Sequence, residues 1–190
     1  MFKKGYFYFS SSIGTLRDHF TEYAVEIVGR FLSDPQDATI IEFGCNDSVL
    51  LSPLADLNVG TIIGVDPATN VLEKINDPRV NIINSYFDEQ CAGKVVDKFG
   101  YADLILANNV YAHVIDINGL TRAIDIALSE DGAFIFEVHY LGKIIDEMQY
   151  DFIYHEHLFY YSLLSATEHF KRYQMTIFDV KFIPIHVYIY

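Results

Sequence analysis

Ala38-Thr39-Ile40-Ile41-Glu42-Phe43-Gly44-Cys45-Asn46-Asp47 decides the fold of this 190-residue chain. Its first part is a continuous apolar run with no polar alternation, which predicts a strand buried on both faces of a parallel sheet. Its second part is a glycine turn, where the backbone can bend sharply and approach a ligand closely. Four more runs of the same character follow: Thr61 to Asp66, Val80 to Ile83, Ala102 to Ala107 and Ala133 to Val138. Helical patterns are interleaved with them. Phe20, Ala24, Ile27, Val28 and Phe31 form a 3.6-residue stripe within Leu16 to Leu32, and Leu120 to Leu128 is closed by Glu130-Asp131-Gly132. Strand and helix alternating in this way predict an α/β fold with a doubly wound, mostly parallel sheet.

The remainder of the chain fits one compact unit over 1–190. An N-terminal segment and helix occupy 1–35, a cofactor-binding core 36–140, and a substrate-site segment with the last strands 141–190. Leu163 to Tyr173 reads as a helix, Met175 to Ile183 as a strand interrupted by Pro184, and Val187 to Tyr190 as one more short strand.

Composition excludes several function classes. The chain is 51% hydrophobic and 21% charged, so it packs a core and is not a disordered tract. Thirteen Lys and Arg face 26 Asp and Glu, for a formal charge of -13, and such a surface repels phosphate backbones. Nucleic acid is therefore not expected as a partner. No apolar run approaches the ~20 residues that span a bilayer, and the first residues lack a long apolar signal region. With only Cys45 and Cys91 present and no Cys-x-x-Cys, a cytoplasmic protein without a metal site is expected.

In a doubly wound sheet, ligands bind beyond the carboxyl ends of the strands, where the strand order reverses. Three groups fall there: Glu42 with Gly44, Asn46 and Asp47 after the first strand; Asp66 with Pro67 after the second; and Asn108-Asn109 after the fourth. The dinucleotide fingerprint needs three spaced glycines to bring a helix terminus against a pyrophosphate. Only Gly44 is present, and Glu42 and Asp47 would oppose a pyrophosphate. Those carboxylates suit a ligand bearing an ammonium and a sulfonium, and Asp66 suits a ribose diol. S-adenosylmethionine is the cofactor these features favour, with a linking turn and a strand-ending aspartate as the bland alternative.

Asp151-Phe152-Ile153-Tyr154-His155-Glu156-His157 is the second concentration of chemistry. If extended, it points Tyr154 and Glu156 one way and His155 and His157 the other, a pattern that a turn would break. With His113 and His139 past the fourth and fifth strands, it supplies a base titrating near neutrality and donors for an enolate. Metal ligation by His155 and His157, or half-buried structural residues beneath a lid, are the competing readings.

Over most of its length the sequence resembles the S-adenosylmethionine-dependent sugar C-methyltransferases of deoxysugar biosynthesis. Five ordered segments carry the resemblance: Tyr6 to Ser11, Glu42 to Asp47, Gly64 to Asn70, Ala107 to Val114, and Ile153 to Leu158. The resemblance implies a Rossmann-like class I methyltransferase fold and a nucleotide-linked 4-keto-sugar as the small-molecule substrate, in a possible homo-oligomer. It implies cofactor contacts from Glu42, Gly44, Asp47 and Asp66, with Asn108 and Asn109 beside them. It also implies that His157 removes the proton beside the ketone, that Tyr8 and His113 hold the enolate oxygen, and that Tyr154 and Glu156 orient His157 and a sugar hydroxyl. The sequence departs from that family in three ways. It carries no cysteines for the family's amino-terminal zinc domain, it has Ser48 where the loop usually has glycine, and it runs from Pro184-Ile185-His186 into Val187 without the Gly-Gly-Ser-Leu-Arg that leads to a further domain. A catalytically reduced S-adenosylmethionine-binding module, working as a subunit of a larger assembly, is the second expectation. A nicotinamide-binding dehydrogenase fragment is the third, disfavoured by the missing glycines.

Overall fold

The computed structural model describes residues 9–183 and 187–189. Five strands run parallel: β1 (Thr39–Phe43), β2 (Thr61–Val65), β3 (Val80–Ile83), β4 (Ala102–Asn108) and β5 (Leu128–Val138). With β6 (Val180–Phe182) and β7 (Val187–Ile189) they form one sheet in the order β3-β2-β1-β4-β5-β7-β6. β7 lies antiparallel between β5 and β6. The chain order reverses between β1 and β4, which places the switch point at the glycine turn.

Alternation within the strands divides the core in two. Ile41, Phe43, Ile63, Val65, Ile105 and Ala107 pack against α4 (Glu89–Phe99), α5 (Ile117–Ala127) and α7 (Leu163–Lys171). Ile40, Ile62, Leu104, Leu106 and Ile135 pack on the other face against α1 (Gly14–Phe31) and α2 (Leu51–Asp56). Both faces are covered, as continuous apolar strands require, and each fully buried Ile, Leu or Phe contributes about 1.5–3 kcal/mol. The shorter α3 (Thr69–Leu72) and α6 (Leu141–Asp146) follow β2 and β5. Among the described residues no helix is long and apolar enough to cross a membrane.

The tail and the helix ends differ from the sequence reading. Glu130-Asp131-Gly132 does not close a helix. Asp116 starts α5 by accepting from Gly119 N, α5 ends at Ala127, and β5 begins at once with Leu128 opposite Ala102. A register shift between Ala102 and Leu104 absorbs the extra β5 residues as a bulge, so these three residues sit inside the strand. Of the strand expected over Met175 to Ile183, only Val180–Phe182 pairs, because β7 offers partners to those three residues alone. The short last strand is present as β7.

Candidate functional site

The polar residues of the site terminate the buried stripes that face α1. On β1 the stripe reads Ile40 then Glu42; on β4, Leu104, Leu106 then Asn108; on β5, Ile135 then Glu137. Two-residue periodicity therefore carries three polar side chains to one corner at the carboxyl edge.

Glu42 is buried, and its Oε1 accepts from Asn108 Nδ2 at 3.1 Å. Burial pushes its carboxyl up from an ordinary 4.5 to about 8; the Asn108 hydrogen bond opposes the rise and the nearby Asp66 charge adds to it. Glu42 Oε2, Asn108 Oδ1 and Asn109 Oδ1 are buried acceptors with no hydrogen-bond partner among the described residues. Leaving such atoms unmet costs about 1–3 kcal/mol each. Acceptors without donors at one corner fit a ligand that brings N–H groups and positive charge, and the S-adenosylmethionine ammonium satisfies that requirement.

Gly44 holds the turn. Its φ is +69°, and a Cβ there would lie 2.2 Å from Val110 Cγ2, so only glycine fits between the β1 and β4 ends. Asn46 and Ser48 are also left-handed, at φ 49° and 70°, and Ser48 is buried. Asp66 is buried, with Oδ2 accepting from Asn46 N at 3.1 Å and Oδ1 from Ala68 N at 2.7 Å. Burial raises its pKa while these two bonds oppose the rise. They fix the carboxylate and leave it lone pairs for ribose hydroxyls.

Two of the expected cofactor residues hold other protein groups. Asp47 accepts from Ser11 N at 3.1 Å and Ser11 Oγ at 2.5 Å. Asn46 Oδ1 accepts from Ser10 N at 3.2 Å, tying the 3₁₀ turn Ser10–Ser12 to the loop. Asn46 still lines the cleft with Gly44, Asp66 and Pro67; Asp47 does not. That cleft measures about 720 Å³ and continues past Phe87 and Asp88 to Asn109, His113 and Glu156. Phe87 and Asp88 were not singled out in the sequence. Their signal was their position after β3, beside the strand that carries Asp66. A cavity of about 870 Å³ at the other end of β5, beside α7, contains none of the candidate residues. Asp66, Asn109 and His113 line the cleft at the switch point, and they select it; Glu42 and Asn108 lie behind Asn109 and do not line it.

Tyr154 to His157 is a turn, which corrects the extended reading. His157 N donates to Tyr154 O at 3.0 Å, and Tyr154 Oη meets His157 Nε2 at 2.9 Å. His157 Nδ1 lies 3.0 Å from Phe152 O. A carbonyl only accepts, so Nδ1 carries the hydrogen and Nε2 takes the tyrosine O–H. His157 is buried behind the half-exposed Tyr154, and His155 is exposed. The Glu156 carboxylate forms no hydrogen bond to His157. The Glu156 backbone carbonyl instead accepts from His113 Nδ1 at 2.7 Å, leaving the His113 lone pair on Nε2. The His113 and His139 rings each lie 4.9 Å from the His157 ring. Leu158 N donates to Ala112 O at 2.9 Å, which fastens this turn to the 3₁₀ turn Tyr111–His113 that follows β4. Tyr8 lies outside the described residues. Cys45 and Cys91 are buried free thiols, and among the described residues no three His, Cys, Asp or Glu side chains converge as a metal site.

A reversed strand order with an acceptor-rich corner at the switch point defines an α/β protein built to hold a cationic nucleoside ligand. Residues 16–180 match the model of a methyltransferase domain, and the chain belongs to that family. NovU of Streptomyces niveus, a C-methyltransferase, is 30% identical over 184 residues, which are 95% of this chain and 43% of NovU. The chain thus spans less than half the length of that relative. A methyltransferase solved with the Haloferax volcanii Trm112 activator superposes with a TM-score of 0.68 at 14% identity, covering 88% of this chain and 74% of that one. Magnesium protoporphyrin IX methyltransferase of Synechocystis PCC 6803, solved with SAH, gives 0.65 at 10% identity, covering 93% and 86%. Both likenesses show the Rossmann-like class I methyltransferase fold.

Proposed function

We propose that the chain is an S-adenosylmethionine-dependent C-methyltransferase acting on the carbon beside the ketone of a nucleotide-linked 4-keto-deoxysugar. The observation that carries this reading is the Tyr154–His157 hydrogen bond, fastened by Leu158 to the turn that follows the strand bringing Asn108 and Asn109 to the cofactor corner. Similarity to a C-methyltransferase and the three unpartnered acceptors support it. Glu42, Asn108 and Asn109 would receive the ammonium of the cofactor, Asp66 its ribose, and Phe87 with Asp88 would line the far end. When bound, S-adenosylmethionine supplies an electrophilic methyl group.

In this reading the base draws the proton from the carbon beside the ketone, and the electron pair moves onto the ketone oxygen as an enolate. His157 accepts the proton through the Tyr154 hydroxyl and Tyr8 holds the enolate; His113, whose Nδ1–H is given to the Glu156 carbonyl, joins it only as an imidazolium. With the cofactor held at that corner, the enolate carbon would take its methyl, SAH would leave with the sulfur electron pair, and the ketone would be restored. A second assignment has its own support: His113 lines the cleft and carries its lone pair on Nε2, so it is the competing base. The alternative is a catalytically reduced S-adenosylmethionine-binding subunit of a larger assembly. The deciding experiment incubates the chain with isotopically labelled S-adenosylmethionine and a nucleotide 4-keto-6-deoxysugar, with deuterated water in a parallel sample. Label in the sugar supports the enzyme. SAH binding without label transfer or proton exchange supports the binding subunit.

A further inference from the structure

We propose that Glu137 and His19 form a positioning pair that fixes Asn109 as a hydrogen-bond acceptor toward the cofactor. Neither residue stood out in the sequence. The inference rests on the reading that the cleft holds S-adenosylmethionine, and concerns how the protein shapes one wall of it.

Glu137 is fully buried near the end of β5. Its Oε1 accepts from Asn109 Nδ2 at 2.6 Å, and its backbone carbonyl accepts from Asn109 N at 3.0 Å. Its Oε2 meets His19 Nε2, from α1, at 3.1 Å. Asn109 is therefore gripped at backbone and side chain while its φ stands at 55°, a conformation that non-glycine residues seldom adopt.

The chemistry of the amide gives the grip its direction. An asparagine amide has a donor end and an acceptor end, and the Glu137 oxygen that it meets is the acceptor. Glu137 must then take the NH₂ end, which turns Oδ1 away from it. Oδ1 is buried with no partner among the described residues, and Asn109 lines the cleft. The adjacent residue repeats the device: Glu42 takes Asn108 Nδ2, and Asn108 Oδ1 is left as a buried acceptor. Two carboxyl groups on the strands flanking β4 thus hold two consecutive amides by their NH₂ ends, leaving both amide oxygens buried. His19 holds the second oxygen of Glu137, and Ser10 and Ser11, bound to Asn46 and Asp47, lead into the same helix.

Calorimetric titration with SAH and NMR of the Asn109 side-chain amide test the pair. Glu137→Gln offers Asn109 a donor as well as an acceptor, so the amide can flip. Affinity for SAH is expected to fall roughly tenfold, the scale of a lost hydrogen bond to a charged group. The same change in an Asn109→Ala background should cause little further loss. The polarity-reversed double variant Glu137→Gln/Asn109→Asp restores an acceptor facing the cleft and should recover most of the affinity; a merely structural role for Glu137 predicts no such recovery. His19→Gln serves if Glu137→Gln does not fold, with an expected loss of a few-fold. Unchanged SAH affinity in Glu137→Gln, or fully additive losses with Asn109→Ala, overturns the proposal. If the parent chain binds no SAH, the cofactor reading fails, and the amide resonances decide on the pair. An Asn109 side chain slow to exchange in the parent and fast in Glu137→Gln upholds it, and identical exchange refutes it.

Discussion

Tyr154 donates its hydroxyl hydrogen to His157 Nε2 across 2.9 Å, while His157 Nδ1–H is committed to Phe152 O. In the neutral imidazole Nε2 is then the acceptor, with a tyrosine between it and the half-exposed surface. Acting as base through that hydroxyl, His157 should contribute about 10²–10⁴-fold to turnover. His157→Ala is expected to lose this factor in methyl transfer and in exchange of the proton beside the ketone, with SAH affinity unchanged. Tyr154→Phe should lose a comparable factor, since it cuts the relay. If His113→Ala abolishes exchange while His157→Ala leaves it intact, His113 is the base.

Glu42 gives the chain a pH signature. Its carboxyl ionises near 8 in the folded protein against an ordinary 4.5. Folding therefore favours its protonated form: the contribution is complete below about pH 4.5 and is lost as pH rises through 8. Glu42→Gln removes the cost of burying the charge. It should raise stability at pH 8 by on the order of a few kcal/mol relative to the parent, with little change at pH 4. Chemical denaturation at the two pH values measures this, and equal effects at both would refute it. The bound ammonium should in turn lower the Glu42 pKa, so that SAH binding near neutrality releases a proton. Calorimetry in buffers of different ionisation enthalpy reads that release.

Ser48 pays a conformational penalty that its usual glycine counterpart avoids. It stands at φ 70° in a buried loop, where an L-residue costs roughly 1–2 kcal/mol. Glycine gives back part of that gain through its freedom in the unfolded chain. Ser48→Gly is expected to stabilise the protein by roughly 0.5–1 kcal/mol, seen as a rise in Tm. A lower Tm would mean that the Ser48 hydroxyl, 3.4 Å from Ser52 Oγ, matters more than the backbone.

Asp66 holds the loop and, in the proposed reading, the ribose of the cofactor. Replacing it with alanine removes the acceptor of Asn46 N and Ala68 N as well as any partner for the ribose. Asp66→Ala should weaken SAH binding by roughly 1–3 kcal/mol. Asp66→Asn, which keeps one acceptor oxygen, should lose less. Equal affinity in parent and alanine variant would remove Asp66 from the site.

By itself the sequence determined the layered architecture and the edge of the sheet that carries the chemistry. Continuous apolar runs report burial on two faces, so five parallel strands were legible, and strand ends located Gly44, Asp66 and Asn108-Asn109. Periodicity carries no information about partners distant in the chain. His19 and Glu137, 118 positions apart, meet only because the sheet order sets β5 beside β4 and packs α1 across both. Local geometry escaped for a related reason. Tyr154 and His157 share a face because a turn replaces the expected extended chain, and Met175 to Asp179 forms no strand because strand formation needs a neighbour with free N–H and C=O groups. The tertiary structure decided which acceptors were left without donors, since satisfaction of a buried polar atom depends on every element packed around it.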